Sequence, residues 1–392
     1  MQALKSIDTV MLTLISILLT LGLVLLLSAS FVVAEFNNKD PYFYFSSQLR
    51  NISYGILAGL VLFFVPYKVW IRSAWVFGLI AIAVLAFMLV PGVAKQVNGA
   101  NRWLELIPFQ PSEAAKLAVV IILARYFSYY GPLIKKIGYG FFGPLLLMII
   151  FCGLILAEKD LGGAIVIAVI IILMMIAGGV RIFHFLCLSP LLLLAYELSK
   201  EYYRNRRIIG WENPWMDPLD SGYNIIHSYY AFASGGVTGV GTGQSQQKMF
   251  FLMETHTDYI FSIIGEEHGL IGIAIIGLLF LAFAWRGLMT ARSAKTLSGY
   301  YLAIGMTLCV MVPALINMAV ALSIIPAKGL PLPFFSYGGS SIIVSCVAVG
   351  IIMGIYNQSY DDPTTGFAAA NPNKPNARRV SLSPAATEAS AQ

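Results

Sequence analysis

The sequence predicts an all-α polytopic membrane protein of about ten transmembrane helices, with both termini cytoplasmic and one large extracytoplasmic loop. Three observations predict it. Hydrophobic residues make up 58% of the 392 and charged residues only 11%, where an ordinary soluble domain has about a quarter of its residues charged. Mean hydropathy is +0.78, so a water-soluble fold would have no polar surface to show. The apolar residues are also gathered into runs close to the roughly 20 residues that cross a hydrocarbon core. The net charge of +6 does not signal nucleic acid, because Lys and Arg are scattered singly between these runs rather than clustered on one element.

The runs are justified in chain order. The first, at 10–34, is too long for a signal-peptide core and lacks a clear small-residue cleavage site before Glu35, so it is expected to remain as an anchor. Further runs follow at 50–66, 73–91, 112–128, 141–157, 162–179 and 182–198. Those at 50–66 and 141–157 are short and suit a thinned or tilted arrangement. The last three lie at 259–285, 298–322 and 337–357. An even number of spans puts both termini on one side.

Charge chooses that side, because short cytoplasmic connections carry the excess of Lys and Arg. With the N terminus inside, the inner face collects Lys5, Lys68, Arg72, Arg125, Lys135, Lys136, Arg181, Arg286, Arg292 and Lys295, with almost no acid apart from Asp8. The opposite face carries Glu35, Asp40, Glu105, Glu158 and Asp160 beside fewer basic residues. Cys152, Cys187, Cys309 and Cys346 all fall inside apolar segments, which offers no outward disulfide framework and favours small packing roles.

Residues 1–358 read as one transmembrane domain, and 199–258 as its large outer loop. A loop of that length is usually functional or disordered. This one contains Arg204, Arg206, Arg207, Trp211, Trp215, Asp217 and Asp220, and its stretch from Tyr223 to Phe232 has helical apolar spacing that would suit an amphipathic helix lying on the membrane surface. The segment 359–392 is rich in Ala, Pro, Asn, Ser and Thr and reads as a disordered cytoplasmic tail.

Three outward regions carry chemistry. The first is Glu254-Thr255-His256-Thr257-Asp258, after which the chain is apolar to Trp285 apart from Gly265-Glu266-Glu267-His268. A carboxylate such as Asp258 at the lip of a membrane span is costly and calls for a function, although an aspartate before a long helix also serves as an N-cap. The second runs from Asn98 to Trp103 and on through Gln110 to Lys116, where Pro111 suits a helix entry and Glu113 and Lys116 share a face. The third is Pro326 to Ser341, whose three prolines indicate a stiff re-entrant stretch of the kind tolerated only where it lines a cavity or packs on protein.

These motifs together resemble the SEDS family of bacterial shape, division and sporulation proteins. The resemblance rests on Asn98-Gly99-Ala100 with Arg102-Trp103, Gln110-Pro111-Ser112-Glu113 with Lys116, and Asp160-Leu161-Gly162. It continues through Ser234-Gly235-Gly236, Gly239-Val240-Gly241, His256-Thr257-Asp258, Gly265-Glu266-Glu267, and Pro331-Leu332-Pro333 to Ser336-Tyr337-Gly338-Gly339, covering about residues 8–358. Lys328-Gly329, Ser245 with Lys248, and Asp40-Pro41 are more like the cell-division members than the cell-shape members, and sporulation members share them. The chain departs from the pattern at Met253 and Lys159, where proline is usual, and at Thr255, where alanine is common.

The resemblance implies a peptidoglycan glycosyltransferase of the bacterial plasma membrane, polymerising lipid II on the outer face with a polyprenyl diphosphate as leaving group. It marks Asp258 as catalytic. Two roles stay open for that carboxylate: a general base on the acceptor hydroxyl, or a ligand for Mg or Mn shared with the diphosphate. Arg102, Lys116 and Lys328 are candidates to hold the diphosphate, against snorkelling to headgroups, or for Lys116 pairing with Glu113. Trp103 stacks on a sugar or anchors at the interface. Ser336, Tyr337, Gly338 and Gly339 begin a segment that either cradles a phosphate or permits close helix packing. Supporting roles fall to Glu113, Lys248, His256, Thr257, Glu266 and Glu267. The two adjacent glutamates are expected to pair inside the bundle rather than perform chemistry. The family's expected partner is a class B penicillin-binding transpeptidase among other division membrane proteins. A lipid II flippase and a non-catalytic division scaffold are the competing classes, and a cell-shape elongation enzyme is the alternative within the family.

Overall fold

The computed structural model describes residues 6–97, 100–104, 109–181, 183–185 and 207–359. The expected span at 182–198, except for one turn at 183–185, and the tail from 360 lie outside the described residues, as do Lys5, Asn98, Gly99, Glu105, Cys187, Arg204 and Arg206.

The described chain is a helical bundle. It comprises α1 (Thr9–Asn38), α2 (Phe43–Phe63), the short α3 (Tyr67–Arg72), α4 (Ala74–Met88), α5 (Pro111–Tyr130), α6 (Gly143–Ala157) and α7 (Leu161–Ala177). After the undescribed segment come α8 (Arg207–Glu212), α9 (Tyr223–Gly235), α10 (Ile260–Ser293), α11 (Leu297–Ala321) and α12 (Gly339–Ser359). Among the described residues six helical stretches are long and apolar enough to cross a membrane: Thr9–Asn38, Pro111–Lys135, Gly138–Ala157, Ile260–Ser293, Leu297–Ala321 and Gly339–Ser359. The run at 73–91 yields only the 15 residues of α4, about 22 Å of helix, and α2 starts at Phe43, seven residues before its apolar run.

One element departs from the all-α expectation. Strands β1 (Ala94–Val97) and β2 (Ala100–Leu104) form an antiparallel hairpin. Trp103 lies opposite Lys95 and Asn101 opposite Gln96, so Arg102 is the extra residue of a β-bulge, a feature that re-aims the chain at a strand edge.

The final long helices are not simple rods. Inside α10, Gly269 takes φ 64° and ψ −161°, a conformation essentially reserved for glycine. The break frees backbone groups that must find partners in the absence of water. The Gly-rich loop supplies them: Val240 N and Gly241 N donate to Glu266 O and Glu267 O, each at 3.0 Å, while Leu270 N and Ile271 N donate to Gly236 O at 2.9 Å and Val237 O at 3.2 Å. What the sequence presents as one interrupted span is therefore two helical segments spliced by a distant loop.

The Tyr223–Phe232 stretch is helical, as its spacing predicts, and its buried face packs on protein. Ile225, Ile226, Ser228, Ala231 and Gly235 of α9 are buried. Ser228 Oγ donates to Ala321 O at 2.7 Å and meets Ser262 Oγ at 2.7 Å, which ties α9 to both α10 and α11.

The proline-rich stretch at 322–338 contains no helix and enters the bundle. Leu332, Phe334, Phe335 and Ser336 are buried. A Cβ on Gly22, near the middle of α1, would lie 2.0 Å from Phe334 O, so only glycine allows this approach. The Phe334 and Phe335 rings pack against Phe283 and Phe280 of α10. This non-helical stretch with its three prolines is packed on protein inside the bundle.

Candidate active site

The run His256-Thr257-Asp258 is a non-helical turn, and its three successive carbonyls are each held from elsewhere. Tyr337 N donates to His256 O at 2.8 Å. Ser336 Oγ donates to Thr257 O. Asn317 Nδ2, one turn beyond Pro313 in α11, donates to Asp258 O at 2.8 Å and also to Leu330 O at 2.7 Å. The re-entrant stretch is itself clamped by Gln48 of α2, which donates to Ser336 O at 3.1 Å and accepts from Gly338 N at 3.4 Å. Asn317 and Gln48 are absent from the sequence candidates, each being a single neutral amide in or beside an apolar run.

Asp258 is half-buried. The N-cap position of α10 is Tyr259, so Asp258 stands one residue before the cap, which weakens the capping reading of its carboxylate. The His256 ring lies 4.4 Å from Tyr44 and 6.2 Å from Tyr337. Burial holds its pKa below the ordinary 6.5 despite an opposing pull from Glu254, and its Nδ1 is buried without a hydrogen-bond partner. Burial thus favours the neutral imidazole. Thr257 Oγ1 donates to Glu254 Oε2 at 2.7 Å.

The supporting charges form two other groups. Lys248 pairs with Glu267 at 2.8 Å, both buried, and Ser28 of α1 donates to the same carboxylate. Glu266 accepts from Ser245 Oγ, from Gln246 N at 3.0 Å and from Gln247 N at 3.3 Å. Both glutamates are therefore engaged with the outer loop. In the second group Lys116 pairs with Glu113 at 2.8 Å, again buried. Nearby Asp160 caps α7 through Gly163 N at 3.0 Å and accepts from Gln110 Nε2 at 3.2 Å.

Lys328 and the 336–339 segment belong to the re-entrant stretch beside Asp258. Lys328 is half-buried, and its carbonyl lies against Gly162 at the start of α7. The hydroxyl of Ser340 accepts from Gln110 N at 2.8 Å, so several polar groups of this segment are used in holding the bundle together. Trp103 is half-buried on β2, and Arg102 is placed only as the bulge of that strand. Among the described residues no group of three or more His, Cys, Asp or Glu is arranged to hold a metal ion. A cation at Asp258 would need substrate phosphates and water for its remaining ligands, the usual habit of Mg.

The sequence pattern of the cell cycle proteins FtsW, RodA and SpoVE matches residues 8–361. The chain belongs to the FtsW/RodA/SpoVE family. It is 35% identical over 359 residues to a probable peptidoglycan glycosyltransferase FtsW of Geobacter sp. (strain M18), covering 91% of this chain and 98% of that one. It is 36% identical over 356 residues to the stage V sporulation protein E of Bacillus subtilis (strain 168), covering 90% and 97%. A solved structure reported as the structural coordination of polymerization and crosslinking by a peptidoglycan synthase complex superposes with a TM-score of 0.75 at 27% identity, covering 91% of this chain and 99% of that one.

One departure from the family pattern has a structural consequence. Lys159, where the pattern carries proline, has φ 65°, which a proline ring cannot adopt. It is the left-handed residue of a helix-ending motif in which Lys159 N donates to Leu156 O at 2.9 Å and Asp160 N to Ile155 O at 3.1 Å. Beside it Glu158 is 1% exposed, with one carboxylate oxygen lacking a partner. Burial, then the charge of Asp160, pushes its pKa from the ordinary 4.5 up to about 8. The native state therefore keeps a proton that the unfolded chain has lost, and this contribution to stability is full below 4.5 and disappears as pH rises through about 8. Glu158→Gln is expected to raise the unfolding midpoint relative to the parent at about pH 9 and to leave it unchanged at about pH 5. Equal shifts at both would show that the carboxyl is not protonated in the native state.

Proposed function

We propose that this chain is a peptidoglycan glycosyltransferase that polymerises lipid II on the outer face of the bacterial plasma membrane during cell division. The observation that carries this reading is the near end-to-end match to proteins named as probable peptidoglycan glycosyltransferases FtsW. The arrangement of charge supports it. Asp258, Lys328, Asp160 and Gln110 gather at one end of the bundle. At the other, Arg286 pairs with Asp8 at 2.8 Å and Arg125 donates to the carbonyls of Ile71 and Arg72. That polarity fits a cytoplasmic basic end and an extracytoplasmic working end, and the ten-span topology with both termini inside.

The substrate sets the remaining demands. Its lipid needs the bilayer, its diphosphate needs cations, and its sugar must stay at the interface. The acceptor hydroxyl oxygen attacks the anomeric carbon of the donor, the bond to the diphosphate oxygen breaks, and polyprenyl diphosphate leaves. A single displacement inverts the α-linked donor to a β-1,4 product. Asp258 takes the acceptor proton in this scheme, while Lys328 and Arg102 are the cations offered to the diphosphate; the buried pairing of Lys116 with Glu113 favours a structural role for that lysine. Mg or Mn held by Asp258 would instead supply charge neutralisation at the diphosphate. A class B penicillin-binding transpeptidase and other division membrane proteins are the partners this reading brings with it, at the division septum.

Purified protein in detergent or liposomes, given lipid II, is expected to form glycan strands. Translocation of lipid II without any polymer would replace this reading with a flippase. Normal complementation of a deletion by Asp258→Ala would replace it with a scaffold.

A further inference from the structure

We infer that Asn317 is a positioning residue for Asp258, and that its one amide also sets the distance between the catalytic carboxylate and the Lys328 loop. The inference rests on the glycosyltransferase reading above and extends it to a residue with no charge and no place in the Asp258 turn.

Asn317 is 1% exposed, near the C-terminal end of α11, among largely apolar helix neighbours. An amide there is costly unless its hydrogens are used. Nδ2 has two hydrogens, and the structure gives both a carbonyl: Asp258 O at 2.8 Å and Leu330 O at 2.7 Å. Its Oδ1 is buried with no partner, so the donors, not the whole amide, are what the fold retains. The acceptors belong to two separate segments. One is the turn that ends in Asp258, and the other is the loop in which Lys328 lies two residues before Leu330. A single planar group thus bridges the segment bearing the carboxylate and the segment bearing a cation offered to the diphosphate.

The turn needs such a brace because it lacks secondary structure of its own. Ser336 Oγ and Tyr337 N hold the two preceding carbonyls from the re-entrant stretch. Asn317 holds the third from a long helix, the more rigid kind of support for a reacting group. Fixing the Asp258 carbonyl holds the backbone from which the carboxylate projects. Displacement of a reacting group by about 1 Å can cost about 100-fold in rate.

Asn317→Leu keeps the approximate volume and removes both donors. In lipid II polymerisation by the purified full-length protein, kcat is expected to fall about 100-fold, while KM for lipid II stays within about threefold because Asn317 itself touches no substrate and the Lys328 loop is still seated against Gly162. The thermal midpoint in the same detergent is measured alongside. If the leucine variant does not fold, Asn317→Ala carries the same test. A kcat within about threefold of the parent, or a rise in KM with kcat preserved, overturns the inference. Asp258→Ala run in parallel separates the two levels. If it still polymerises, the glycosyltransferase site itself is misassigned. If it is inactive while Asn317→Leu is normal, only the positioning role fails.

Discussion

Asp258→Ala is expected to reduce lipid II polymerisation by about 1,000-fold, in the range lost when a general acid or base is removed, while lipid II binding is kept. On the proposed reading binding should survive, because that reading leaves the polyprenyl chain to the bilayer and assigns the diphosphate to basic residues other than Asp258. The fold should survive as well. The Asp258 turn is held through main-chain carbonyls by Tyr337 N, Ser336 Oγ and Asn317 Nδ2, none of which needs the carboxylate, and the cap position of α10 is Tyr259. The variant is thus a test of chemistry more than of stability. Its two possible roles then part under a chelator. A carboxylate acting as base predicts that the parent polymerises equally well with divalent cations removed. One acting as a cation ligand predicts that chelation reproduces the loss and that added Mg or Mn restores the parent alone. Parental rates of strand formation by Asp258→Ala, with product length unchanged, would remove Asp258 from the chemistry.

Much of the fold was legible because bilayer hydrophobicity is a local property. The run at 10–34 needs no long-range information to become α1, and Asp258 stands out because an acid beside an apolar span has few innocent explanations. The break at Gly269 was hidden for the opposite reason. Its freed groups are satisfied by residues 236–241, and no local pattern records that pairing. Asn317 and Gln48 were missed because a lone amide in or near an apolar run carries no motif; Gln48 meets a partner 288 residues away. The hairpin at Ala94–Leu104 was more accessible. Asn98-Gly99 is a dipeptide favoured in two-residue hairpin turns, but the flanking strands are too short to show alternation. Lys159 shows a limit of motif reading: a left-handed helix end there follows from the lost proline only after the backbone is seen.

Lys248→Met should destabilise the protein by about 3–5 kcal/mol, the usual loss when one member of a buried ion pair is removed. Lys248 and Glu267 expose 5% and 1% of their side chains, so solvent cannot stand in for the missing charge. Ser28 would remain as a donor to Glu267, which is too little to solvate a carboxylate in that setting. The chain can respond by protonating Glu267 or by releasing the loop, and either response disturbs the same place. Lys248 lies within the segment whose Ser245, Gln246 and Gln247 bind Glu266, and whose Val240 and Gly241 close the break in α10. That segment leads directly into the Asp258 turn. Activity should therefore fall with stability, through the delivery of Asp258 rather than its chemistry. Adding Glu267→Leu to Lys248→Met is expected to recover most of the loss, because a packed apolar pair replaces a buried ion pair at little cost. The four proteins of this cycle, compared by unfolding midpoint in one mild detergent, give the coupling directly. A single Lys248→Met loss below about 1 kcal/mol, as for an exposed pair, would mean that water reaches Glu267 and that the ion pair does not hold the loop.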